Sequence, residues 1–345
     1  MRAAGRRGRA RLRVGWVAAG TLTARYPRYS ALEASVAMRV ANNACWIDRR
    51  SERLACELYR PRRRYDVVVF FKAMDERCQA EAARIRGYGG RVVFDANVNY
   101  YEIWGEYDIA ATRPTEQQQR DAIAMTAAAD WVVADSTYLL DIARKHNPRA
   151  SWVPDNVDLA LFPHTRTHTG SGRLRLVWSG IAQKAAPLLR VADALAGLAG
   201  AELVLVSNRP PEVLAELSRA LPCSYVPFGL ASYAKLLRGC DVIISPKHLV
   251  NGYELAHTEW KITLGMAAGL PAVASPQQSY VEAVGHHGGG RIVESVQEWR
   301  TALEELAGDP ALRAALGRRA RLTVEEHYAT PVVARRYEEV LCGVV

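Results

Sequence analysis

The sequence has 345 residues, 49% apolar and 23% charged, with a formal net charge of +9. That length exceeds what one hydrophobic core usually serves and points to two domains. No run approaches the roughly 18 apolar residues of a membrane span, no apolar signal core follows the N-terminal arginines, and no motif or aromatic interleaving of a nucleic-acid reader accompanies the basic residues.

The positive charge is concentrated. Arg2, Arg6, Arg7, Arg9, Arg11 and Arg13 precede the first apolar run without an intervening acid, and a second cluster spans Arg60 to Arg64. Two readings stand: a solvated terminus and loop, or attraction to anionic lipid or a polyanionic substrate. Any membrane contact would be peripheral, at the inner face of the membrane, and the expected location is cytoplasmic. The six cysteines form no CxxC pair or regular framework, which argues for reduced thiols and against zinc.

Short β-branched runs alternate with helical patterns. Strands are predicted at Arg13–Ala19, Asp66–Phe71, Arg91–Asp95 and Trp131–Asp135, each too apolar for a half-exposed sheet and suited to buried parallel strands. Leu32, Val36 and Val40 repeat every four residues within a helix predicted from Ala31 to Ala41. Further helices are predicted at Gln79–Arg86, before Gly87, Gly89 and Gly90, and at Glu116–Ala129. The polar segment His164–Gly172, after the turn-like Pro154–Asn156, reads as a linker.

Beyond it the alternation restarts. Strands are predicted at Leu174–Trp178, Leu203–Ser207, Ser224–Val226, Asp241–Ser245, Ala272–Ser275 and Arg291–Val293. Helices are predicted at Pro187–Leu198, Glu212–Leu221 and Ser232–Leu237, and Ser295 with Glu298 forms a capping box opening another. The terminal segment carries Val333, Tyr337, Val340 and Leu341 on one helical face. The fold class is therefore α/β, with two Rossmann-like domains facing a cleft: 1–163, a linker at 164–172, 173–328, and a terminal helix at 329–345 packing back on the first domain.

The segment from Asp241 to Ser275 carries the strongest chemical signal, because Lys247, His248, Glu254, His257, Glu259 and Lys261 crowd between two buried strands. Loops beyond the carboxyl ends of such strands bind ligands in open α/β sheets. Lys261 opens a helix containing Gly265, Ala267, Ala268 and Gly269, residues small enough for close approach to a sheet or a ligand. Ser179, Gly180 and Lys184 occupy the turn after Trp178, where a hydroxyl, an open backbone and a positive charge suit a diphosphate; ordinary turn residues would look the same. Lys72 and Asp95 end strands of the first half and are expected to face the cleft, Asp95 as base or acceptor ligand.

Lys261, Met266, Ala267, Gly269, Pro271, Val273 and Ala274 together resemble the K-x-x-E-x-M-A-x-G-x-P-V-V-A signature of the nucleotide-sugar-dependent, group 1-like GT-B glycosyltransferases. Val132–Ser136, Pro154–Asp158 and Tyr337–Leu341 are similar to that family's strand end, interdomain turn and terminal helix. The resemblance implies transfer of a sugar from a nucleotide-diphosphate donor to a hydroxyl acceptor, which would be a glycan, a lipid-linked molecule or a small molecule, in surface polysaccharide or glycolipid synthesis. It implies a donor site in the second domain, with Lys184 and Lys261 near the diphosphate, Ser179 and Gly180 lining it, Lys247 elsewhere in the donor site, and the backbone around Pro227 to Leu230, including Phe228 and Gly229, at the base. It implies further that the Gly20–Thr21 turn approaches a sugar and that catalysis needs neither metal nor cofactor, in keeping with the lack of a D-x-D motif.

One departure stands out. Ala256 and Leu264 occupy the positions of the family's E-x7-E carboxylates. Glu254 and Glu259 flank the first position as candidate replacements, and His257 is a candidate for contact with the sugar or diphosphate. That departure keeps two alternatives open: a nucleotide- or glycan-binding protein without turnover, and a nucleotide-sugar epimerase or hydrolase. His146, His164, His168, His286 and His287 show no ligand spacing and read as surface residues.

Overall fold

The structure, a computed structural model, describes residues 10–18, 34–169 and 173–345. The Gly20–Thr21 turn, Leu32, the arginines before residue 10 and positions 170–172 of the expected linker lie outside the described residues.

The chain builds two six-stranded sheets, all of whose pairings are parallel. The first contains β1 (Leu12–Val17), β2 (Leu54–Leu58), β3 (Val67–Phe71), β4 (Arg91–Ala96), β5 (Trp131–Ala134) and β6 (Ala150–Trp152), in the order β2-β1-β3-β4-β5-β6. The second contains β7 (Leu174–Ser179), β8 (Ala201–Ser207), β9 (Cys223–Pro227), β10 (Val242–Ser245), β11 (Ala272–Ala274) and β12 (Gly290–Ile292), in the order β12-β11-β10-β7-β8-β9. Strand order reverses between β1 and β3 in one sheet and between β7 and β10 in the other. Those are the two crevices where ligands enter such sheets.

Period-two alternation explains why both faces are covered. Val67, Val69 and Phe71 point to one side of β3, and Val68 and Phe70 to the other, all fully buried. Each such side chain contributes about 1.5–3 kcal/mol of apolar burial. The first face packs under a helix running through α1 (Ala34–Val36), a π-helical segment (Ala37–Asn42) and α2 (Asn43–Arg50). The second packs under α3 (Glu76–Gly87), α4 (Glu116–Ala128) and α5 (Thr137–Arg144). Asp75, Thr115 and Ser136 cap these three helices through their side-chain oxygens.

In the second half, Leu203 and Leu205 face a core shared with α6 (Ala192–Ala196), α7 (Leu214–Ala220) and α12 (Val296–Gly308). Val204 and Val206 face one shared with α8 (Leu230–Leu237), α10 (Trp260–Ala267), α11 (Gln278–Gly285) and α13 (Pro310–Thr323), while the short α9 (Gly252–Leu255) sits in the loop after β10. The close approach expected of α10 is met at Gly265, where an added Cβ would lie 2.6 Å from Ile243. The capping box at Ser295 and Glu298 forms as the spacing predicts. The helix predicted at Pro187–Leu198 differs: Ala182–Val191 is a 3-10 helix, and only Ala192–Ala196 is α-helical. Pro187 sits inside the 3-10 stretch, where it lacks an N–H to donate and its ring opposes a continuous α-helix.

The terminal helix α14 (Thr330–Gly343) leaves the second half and packs Val333, Ala334, Tyr337 and Leu341 against the first sheet. Two chain segments therefore cross between the halves side by side, Val157 N–H donating to the Tyr328 carbonyl and Thr330 N–H to the Val157 carbonyl. Among the described residues, no helix is long and apolar enough to cross a membrane.

Candidate functional site

Three lysines converge at the reversal point of the second sheet. Lys184 comes from the turn after β7, Lys247 from the loop after β10 and Lys261 from the first turn of α10; all three line one pocket with Gln183, Pro187, His248, Asn251 and Glu254. The first half closes the pocket with Asp108, Ile109 and Thr112 from the long loop after β4. That loop is fastened across the cleft. Gly105 and Asn251 form an antiparallel bridge, Asn99 donates its amide to the Gly252 carbonyl at 3.1 Å, and His248 Nδ1 lies 3.2 Å from Asp108.

The lysines of the pocket are arranged around one carboxylate, Glu254. Glu254 pairs with Lys247 at 2.9 Å and Lys184 at 3.5 Å. Burial opposes its ionisation, but the charges of Lys247 and Lys184 hold it well below the usual carboxylate range. Lys247 is raised, the attraction of Glu254 outweighing burial. Lys184 is brought down to about 7, by burial first and then by the charge of Lys247. Lys261 is lowered well below its ordinary value by burial and by the other two ammonium groups. An anion entering among them would reverse that cost, because its charge favours the protonated amines.

The polar contacts hold Lys184 in place. Its Nζ lies 2.6 Å from His257 Nε2, 3.1 Å from the Tyr253 hydroxyl and 4.4 Å from the Tyr253 ring centroid. His257 Nδ1 lies 2.6 Å from the Tyr253 carbonyl, an acceptor, so Nδ1 carries the proton and Nε2 accepts from the lysine. Burial and the neighbouring lysines push the His257 pKa well down and keep the ring neutral. His257 thus acts on Lys184, and it is not among the residues lining the pocket.

Lys261 lies against Trp178, 5.6 Å from its ring centroid, and an added Cβ at Gly180 would sit 3.1 Å from the Lys261 Nζ and 2.9 Å from Trp178. Gly180 is therefore the residue that leaves room for the lysine. Ser179 receives a hydrogen bond from the Tyr233 hydroxyl at 2.9 Å. Phe228 and Gly229 follow β9, at the same end of the sheet: Phe228 is partly exposed against Tyr233, and the Gly229 carbonyl accepts from Tyr233 N–H.

Three residues expected in the site are elsewhere. Asp95 does not face the cleft: it is fully buried, accepts from Arg39 at 2.8 Å and from the Tyr337 hydroxyl, and is raised by burial. Its partner explains the placement, because Arg39 also reaches Asp155 at 3.1 Å and the Val153 carbonyl at 2.9 Å. Lys72 follows β3 in the left-handed region at φ 53°, its amine over the Phe71 ring, and it is not among the residues lining the lysine pocket. Glu259 is 1% exposed and precedes α10 without capping it; among the described residues its Oε1 has no hydrogen-bond partner. Burial and the nearby Asp155 push its pKa well up. Ala256 and Leu264 are both buried in apolar cores.

Sequence reasoning missed Tyr253, Gln183 and the Asp108–Thr112 loop. Tyr253 lies inside the polar segment already singled out, and the loop is a long stretch without periodicity, itself a signal of function.

No family model matches the sequence, and no curated protein matches it. Solved structures do. The chain is similar to HepE of Anabaena, in complex with UDP and glucose, at 12% identity and a TM-score of 0.66, covering 96% of this chain and 100% of that one. It is similar to a glycosyltransferase of Rickettsia africae at 12% identity and a TM-score of 0.66, covering 97% and 99%. It is also similar to WaaG, a glycosyltransferase involved in lipopolysaccharide biosynthesis, at 12% identity and a TM-score of 0.60, covering 95% and 99%. The chain has the fold of the GT-B glycosyltransferases.

Proposed function

We propose that this GT-B chain is a glycosyltransferase that moves a sugar from a nucleotide-diphosphate donor to a hydroxyl acceptor. The observation that carries the reading is the convergence of Lys184, Lys247 and Lys261 around one carboxylate at the sheet's reversal point. Fixed positive charge at that place stabilises a departing diphosphate. The bond from the anomeric carbon to the diphosphate oxygen breaks, its electron pair passing to that oxygen. The acceptor hydroxyl oxygen forms the new bond and releases its proton.

In this reading residues 173–328 bind the donor and residues 1–163 the acceptor, with the Asp108–Thr112 loop between them. UDP in the similar HepE structure supports a uridine donor as the first to try. Surface polysaccharide or glycolipid is the acceptor class that the likeness to WaaG supports. Lys184 and Lys261 contact the diphosphate, Lys247 balances Glu254, and the Phe228–Gly229 turn lies at the base. Thermal denaturation with UDP-, GDP- and TDP-sugars tests this: at least one should raise the midpoint. No shift with any of them counts against it.

Ala256 and Leu264, buried and apolar where carboxylates would hold a ribose, favour a second reading: binding without turnover. Slow release of free sugar from a bound donor contradicts that reading.

A further inference from the structure

We propose that His287, Glu326 and His327 form a binding site for a divalent transition metal of the zinc class, separate from the donor pocket. One ligand atom from each lies within 4.8 Å of the others, and His287 Nε2 is already 3.0 Å from Glu326 Oε2. The rings of His287 and His327 are 5.8 Å apart between centroids. Two imidazoles and a carboxylate are the donor set of three-ligand zinc sites, whose bonds of about 2.0–2.2 Å leave a further position for water. Tetrahedral bonds of that length place ligand atoms roughly 3.4 Å apart, so these side chains would close around one ion to reach them.

The backbone that carries the ligands is fixed from both sides. His287 lies in the turn after α11, which continues through Gly288 at φ +68° to Gly289, where an added Cβ would lie 2.5 Å from Ala320 of α13. Glu326 and His327 lie in the π-helical segment Val324–Tyr328, anchored by the fully buried Val324 and Tyr328. His286 stacks on His327 at 3.8 Å between centroids with planes 9° apart, which restricts that ring. Ligands on constrained backbone lose little entropy when an ion is bound. The sequence hid the site because its two halves are 39 residues apart and neither has ligand spacing alone.

Such an ion would join the α11–β12 turn to the segment that enters α14, the helix covering the first sheet. It would brace the crossing between the halves.

The test uses the full chain without an affinity tag, titrated with Co2+ under visible absorption and with Zn2+ by calorimetry. One ion per chain is expected, with cobalt bands displaced by zinc and a raised unfolding midpoint. His287→Ala, His327→Ala and the exposed Glu326→Gln should each weaken binding at least about tenfold, with the circular dichroism spectrum unchanged. Absence of binding at stoichiometric metal overturns the proposal, as does wild-type affinity in all three variants. Should the histidine variants unfold, unchanged affinity in Glu326→Gln decides against it.

Discussion

The amine of Lys184 lies 2.6 Å from Nε2 of His257, whose other nitrogen is committed to the Tyr253 carbonyl. A neutral imidazole thereby aims a lysine into the pocket while sitting behind it. This arrangement separates the residue that meets the ligand from the residue that positions it.

Removing the amine should remove donor binding without unfolding the protein. Lys184→Met is expected to weaken nucleotide-sugar affinity by about tenfold or more, the value of one charge-assisted contact. Stability should hold, because Glu254 keeps Lys247 at 2.9 Å. Titration calorimetry beside chemical denaturation gives both numbers; unchanged affinity would falsify the role given to Lys184. His257→Ala should raise the dissociation constant less.

The pH dependence follows from Lys184 titrating near 7, against 10.5 in the unfolded chain. Its protonated fraction falls as pH rises through 7, so affinity for an intact nucleotide-sugar should fall by roughly tenfold from pH 7 to 8.5. Stability moves the other way. Between about 7 and 10.5 the unfolded state holds a proton that the native state has released, so this residue makes stability rise with pH across that window. Lys184→Met should flatten both trends.

Glu259 offers a test of burial, because among the described residues its Oε1 has no hydrogen-bond partner. Its pKa is raised in the native state, so the native protein retains a proton that the unfolded chain loses above about 4.5. Its contribution to stability is therefore lost as pH rises toward the raised value. Glu259→Gln should stabilise the protein at pH 7.5 by about 1 kcal/mol or more and leave donor affinity unchanged. A lower unfolding midpoint, or a lost donor shift, would restore Glu259 to the site.

Arg39 joins Asp95, Asp155 and the Val153 carbonyl inside the first half. Arg39→Met leaves buried carboxylates unpaired and should cost about 3–5 kcal/mol in urea denaturation. Asp95→Asn should act through stability as well. A variant that lost turnover while keeping full stability would return Asp95 to catalysis.

Gly180→Ala inserts a Cβ 3.1 Å from the Lys261 Nζ. It is expected to weaken donor binding by several-fold while costing about 1–3 kcal/mol of stability, because the Cβ also meets the buried Trp178 ring at 2.9 Å. Equal donor affinity in the variant would show that Lys261 moves aside freely.

Much of the fold was legible in the chain itself. Runs such as Val67–Phe71 and 203–206 are apolar at every position, which only a strand buried on both faces requires. The shorter Ala150–Trp152 and the less apolar Leu54–Leu58 escaped, since local composition separates neither from a loop. Within the site, Lys184, Lys247 and Lys261 were legible because lysines beside buried strand ends and small residues have few structural uses. Glu259 and Asp95 were misplaced by the same reasoning: position along a strand or loop says nothing of which way a side chain turns, and that depended on Arg39 and on the packing of α14. The alternation of strands and helices could be read along the chain, because period and burial are local properties. Which charges meet rested on the assembled fold, because Glu254 with Lys184 and His287 with Glu326 are distant pairs brought together by sheet order and helix packing.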